Sequence, residues 1–166
     1  MIYIDIEHCD ECKYFELLNY IFQQCNWVTF HFPNFMNKGS LDIRLDDRGN
    51  KNLEYGEYIK KNELLIAASL KHGGKKIITK TYNDVSLAYN TQVITVKLIK
   101  EIKEQLLQHH IFEWMYPNLP EDICFFKDNC CRFVSETHEG VFFIKNEKND
   151  DIVFLRQHGF DHMIRR

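Results

Sequence analysis

The chain has little glycine and little proline, 7 and 3 in 166 residues. That scarcity excludes a collagen-like or linker-rich polypeptide. No apolar run approaches the ~18 residues needed to cross a bilayer, so an integral membrane protein is not expected. The first residues, Met1-Ile2-Tyr3-Ile4-Asp5-Ile6-Glu7, carry acids where a secretory leader has a basic start and an apolar stretch, and secretion by that route is not expected. There is no P-loop, nucleophile elbow or H-E-x-x-H pair. Gly73-Gly74 is a lone pair rather than a phosphate cradle. A net charge of −3 lacks the basic excess of a general nucleic-acid binder, which argues against direct nucleic-acid binding.

What is present suits a packed domain: 45% hydrophobic residues, with 13 Phe, 8 Tyr and 2 Trp for a core. Charge is segregated. Residues 1–57 hold 5 basic and 10 acidic side chains, residues 58–110 hold 9 and 4, and residues 111–166 hold 7 and 10. A basic strip therefore lies between two acidic ends, and could meet an acidic partner. The six cysteines are Cys9, Cys12, Cys25, Cys124, Cys130 and Cys131. The length of the chain, the missing leader and the adjacency of Cys130 and Cys131 favour reduced thiols and a cytoplasmic location over a disulfide framework.

Alternation of Ile2, Ile4 and Ile6 with polar residues predicts a half-buried strand. Asp10 can cap a helix over 11–24 whose apolar face is Phe15, Leu18, Ile21 and Phe22. Residues 27–32 predict a strand stopped by Pro33. Residues 34–56 are polar and rich in turn signals, a surface loop or hairpin. A helix is expected over 57–71 and a strand over 75–82. The row Ile94, Leu98, Ile102 and Leu106 predicts a long helix over 92–114. Residues 122–127, 130–135 and 141–145 read as a three-stranded meander. Asn149 is the expected cap of a helix over 150–158, with Gly159 past its end. The expectation is one α+β domain over 1–166: a mainly antiparallel sheet with two or three packed helices and a polar loop insertion at about 34–56.

Three chemistries are open to these residues. Cys9-Asp10-Glu11-Cys12, after a strand and at a helix start, could be a redox pair, because a helix N-terminus stabilises a thiolate. The two acids between the cysteines oppose it. Cys9 and Cys12 could also make half of a zinc site completed by His8, His138 or the Cys130/Cys131 pair, although His158 and His162 offer the only H-x₃-H spacing and lack paired upstream cysteines. His109, His110, Glu136, His138 and Glu139 carry the groups of a general base without a supporting motif. The aromatic cluster from Phe112 to Phe143 reads as core, or as a partner surface if left uncovered.

The C-x-x-C, and the stretch Leu119-Pro120-Glu121-Asp122-Ile123-Cys124-Phe125-Phe126-Lys127, resemble the two halves of a thioredoxin-like dithiol site. That resemblance implies a thiol–disulfide oxidoreductase using Cys9 and Cys12. His8-Cys9-Asp10-Glu11-Cys12-Lys13-Tyr14-Phe15, Met115-Tyr116-Pro117-Asn118-Leu119-Pro120-Glu121-Asp122-Ile123-Cys124-Phe125-Phe126-Lys127-Asp128 and Thr137-His138-Glu139 resemble a small, functionally uncharacterised cytoplasmic family of Gram-positive bacteria. This second resemblance supplies no catalytic residues. It implies an accessory protein of the kind found beside toxin-immunity and phage or defence genes.

The expectation that follows is a non-enzymatic cytoplasmic protein that binds and inhibits a protein partner, such as a toxin or a defence protein, with the oxidoreductase as the alternative. No cofactor is expected, zinc being the minor alternative. For a basic toxin the contacting acids would be Asp42, Asp46, Asp47, Glu54 and Glu57.

Overall fold

The computed structural model describes residues 1–5, 9–34, 55–82, 85–110 and 113–165. In chain order the elements are β1 (Ile2–Asp5), α1 (Glu11–Gln24), β2 (Trp27–Asn34), α2 (Tyr55–Lys61), α3 (Glu63–Lys71), β3 (Lys75–Tyr82), β4 (Val85–Lys97), α4 (Lys100–Leu106), β5 (Glu121–Lys127), β6 (Cys130–Glu136), β7 (Val141–Ile144), α5 (Asn149–Gln157) and β8 (Ile164–Arg165). The strands form one sheet in the order β3-β4-β2-β5-β6-β7-β1-β8. Every described pairing is antiparallel.

This is the expected α+β domain, with five α-helices among the described residues where two or three were expected. The expected meander is present as β5-β6-β7. β3 and β4 are likewise neighbours joined directly, whereas the remaining connections carry helices and each steps over at least one strand. The largest step is β1-α1-β2, which passes β7, β6 and β5.

The register puts the apolar side chains on one face. Val28 faces Val96 and Phe125, Phe30 faces Ile94, Phe125 faces Phe133, and Ile4 faces Phe142. Asp10 caps α1 as expected, its Oδ1 accepting from the Lys13 N–H at 2.8 Å. The helix then buries Tyr14, Leu17, Leu18 and Ile21. Its Phe22 ring lies 6.4 Å from Phe125, and Tyr20 meets Phe133 edge-on at 6.2 Å. Trp114 stacks on Phe30 and Tyr58 of α2 tilts against Phe32, so this face is the core.

Four local readings need correction. Residues 92–97 are strand, and only 100–106 of the expected 92–114 helix is helical. Val93, Ile94, Thr95 and Val96 are all β-branched and sit between β2 and β3, where their shape packs on a pleated surface. The apolar row at intervals of four was a coincidence of two elements. Pro33 does not stop β2, which runs to Asn34. The helix over 57–71 divides into α2 and α3 at Asn62. The cap of α5 is Lys148 rather than Asn149, with Asp151 Oδ2 accepting from the Lys148 N–H. The polar insertion expected at 34–56 lies almost wholly outside the described residues.

A β-bulge sets one internal contact. Phe125 pairs with Phe133 and Phe126 with Cys131, leaving Arg132 as the extra residue. Its guanidinium lies over the Phe133 ring and reaches into the core, where Nη2 donates to both Asp151 carboxylate oxygens at 2.9 and 2.8 Å. Tyr20 OH donates to the same carboxylate at 2.7 Å. The bulge thus turns a strand arginine inward to hold α5 against α1.

Candidate functional site

Among the described residues, β3 is one of the two edge strands of the sheet, with β8 at the other side. Its Ile77, Ile78, Thr79 and Thr81 favour the extended chain. The turn that delivers it from α3 depends on glycine. Gly73 has φ +78°, and a Cβ on Gly74 would stand 2.6 Å from the Ser69 carbonyl oxygen, which accepts from the Gly74 N–H. Ile77 pairs with Val93 and Ile78 with Gln92, so the two isoleucines point to opposite faces. Ile77 is 57% exposed and Ile78 71%. Lys75, Lys76 and Lys80 flank the pair and are also exposed. The edge is apolar at its centre and cationic at both ends.

The residues expected to carry chemistry fall elsewhere. Cys9 is buried and Cys12 exposed at the start of α1. Burial, with the Asp10 charge beside it, pushes the Cys9 thiol up to about 11, against the helix N-terminal effect a redox pair would use. The two strands flanking α1 are separated by three others, and no parallel pair occurs among the described residues.

Cys9 and Cys12 follow the Asp5 end of β1, which pairs through Val141 to Glu136. Cys130 and Cys131 are at the other end of β6, some six residues or roughly 20 Å along the strand. The structure therefore does not bring these four cysteines together. Among the described residues no group of three or more metal-ligating side chains forms. The side chain of His138, and all of His8, lie outside the described residues.

Of the acids expected to face a basic toxin, Asp42, Asp46, Asp47 and Glu54 lie outside the described residues. Glu57 is exposed on α2 and borders one shallow depression with Lys60, Lys61 and Glu63, so its surroundings are of mixed sign. A cleft of about 350 Å³ opens between α3, α4 and the 113–119 segment. Several of its polar groups are bound within the chain: Lys61 donates to Asn118, and Glu113 accepts from the His110 N–H.

Sequence reasoning missed a titratable cluster beneath the sheet's centre. Buried His31 shares its Nδ1 with the Asp122 carbonyl at 2.8 Å, and burial lowers its pKa to about 4. Burial, with the Glu136 charge nearby, raises Asp122 to about 7, and Asp122 sits at φ +49°. Glu136 thus neighbours Asp122, a pairing that strand register alone could reveal.

No helix among the described residues is long and apolar enough to cross a membrane. Compared with protein-family models, curated proteins and solved structures, the chain finds no match in any of the three.

Proposed function

We propose that the protein is a non-enzymatic binding protein whose partner, a different polypeptide, adds an extended acidic segment to the sheet along β3. One observation carries this reading: β3, an edge strand among the described residues, exposes two adjacent isoleucines between lysines. A strand added at an edge gains main-chain hydrogen bonds, and its alternate side chains find contacts on both faces. Ile77 and Ile78 offer the apolar contact, one on each face. Lys75, Lys76 and Lys80 select the sign of the partner.

A second copy is a poor occupant. Antiparallel self-pairing centred on Ile77 and Ile78 would set Lys75 opposite Lys80, and like charges directly opposed are destabilising. All six cysteines are free, which fits the cytoplasmic location we also propose. An inhibitor of a toxin or defence protein is the narrower form of this proposal, the acidic segment then belonging to the inhibited protein.

Selection from an unbiased library of displayed peptides tests it. Enriched sequences should alternate acidic and β-favouring residues, and binding should slow hydrogen exchange at the backbone amides of β3. Enrichment of basic sequences, or protection confined to other elements, would overturn it.

A further inference from the structure

Three of the six cysteines lie on the β5-β6 hairpin near the middle of the sheet, Cys130 and Cys131 beside its turn and Cys124 further along β5. Cys124 and Phe126 are two residues apart on β5 and so share a face. Cys131 pairs with Phe126, which places it on that face too, diagonal to Cys124. The Cys124 thiol is within hydrogen-bonding reach of the Asp122 carbonyl, at 3.5 Å, and of Cys131 Sγ. Cys124 is buried, Cys131 half-buried and Cys130 exposed. One thiol of the pair can therefore meet a reagent from solvent, and the other waits behind it.

We propose that Cys131 is a thiol-modification site for low-molecular-weight disulfides, with Cys124 as its resolving thiol. Cys131 thiolate attacks one sulfur of the disulfide RSSR, forming the mixed disulfide Cys131–S–S–R and releasing RS⁻. Cys124 gives up its proton and attacks Cys131 Sγ, expelling the second RS⁻. The sum is two protein thiols and RSSR giving a Cys124–Cys131 disulfide and two RSH, with two electrons passing from the protein to the reagent. The hydrogen bond from Cys124 and the Lys145 charge nearby favour the thiolate of Cys131, holding its pKa below the ordinary thiol value despite partial burial. Cys9 and Cys25 have the opposite setting, both pushed up by burial.

The test treats the reduced protein with oxidised glutathione and follows adducts by peptide mapping and intact mass. A Cys12→Ser, Cys130→Ser background removes the exposed thiols. A glutathione adduct should appear first on Cys131, then decay as a Cys124–Cys131 disulfide forms. Cys124→Ser should leave the Cys131 adduct stable, and Cys131→Ser should give neither species. If Cys124→Ser does not fold, the order of adduct and disulfide in the Cys124-containing protein decides. A lasting adduct on Cys131 there, or first modification at Cys9 or Cys25, would overturn the proposal.

Discussion

The two edges of the sheet are protected in different ways. On one side the sheet ends in β8, two residues laid on β1, with buried Phe160 and Met163 just before it. Nearby, α5 is held by the buried Arg132–Asp151 pair and by Tyr20. On the other side it ends in β3, eight residues long with both isoleucines in solvent. A short edge offers little to any added strand. A long edge bordered by lysines repels only strands of its own sign. The second device leaves the edge open to an acidic strand, and that asymmetry is the basis of the binding proposal.

The largest loss of stability is expected at the closed side. Asp151→Asn removes the carboxylate that accepts from Arg132, Tyr20 and the Lys148 N–H, and leaves a buried guanidinium unpaired. A loss of about 3–5 kcal/mol in urea unfolding is expected. At the open side Gly74→Ala forces a Cβ against the Ser69 carbonyl, and should cost about 1–3 kcal/mol while loosening β3.

Between the edges, His31 and Asp122 set the pH dependence. Burial raises Asp122 to about 7 in the fold from an ordinary 3.8, so the unfolded chain ionises first and stability falls as pH rises from about 4 to 7. His31 titrates near 4 against 6.5, so the unfolded chain protonates first and stability falls as pH drops from 6.5 to 4. The two slopes oppose one another over 4–6.5. Asp122→Asn keeps a residue that tolerates positive φ and removes the Asp122 slope. Chemical denaturation should show the variant more stable than the parent at pH 8, by about 1–2 kcal/mol after allowing for partial solvent contact, and no different at pH 3.

The smallest effects on stability belong to β3 itself. Lys75→Thr with Lys80→Thr should change unfolding by less than about 0.5 kcal/mol yet let the protein self-associate, seen as a concentration-dependent sedimentation coefficient. Ile77→Thr with Ile78→Thr should be similarly neutral for folding and should abolish that self-association.

Local signals in the sequence were sound where one element decides its own conformation. The alternation at Ile2 and Ile4, the Asp10 cap and the β5-β6-β7 turns all appear as expected. They failed where a neighbour decides. Ile94 begins an i, i+4 row, yet residues 93–96 are all β-branched, and their position in the sheet beside β2 and β3 chooses the strand. The lysines of β3 were legible as a basic strip. The exposure of Ile77 and Ile78 was not, because it depends on β3 being outermost. Arg132 gave no sign of burial, since the bulge that turns it inward arises from pairing with β5. The diagonal placement of Cys124 and Cys131 comes from the same register.

The central claim is that β3 is an open edge selecting an acidic strand. Calorimetric titration of a library-selected peptide into the wild-type protein and into Lys75→Glu, Lys76→Glu, Lys80→Glu measures it directly. The triple reversal should weaken binding at least tenfold, added salt should weaken the wild-type interaction, and unfolding should be unchanged. Equal affinity for the two proteins would contradict it.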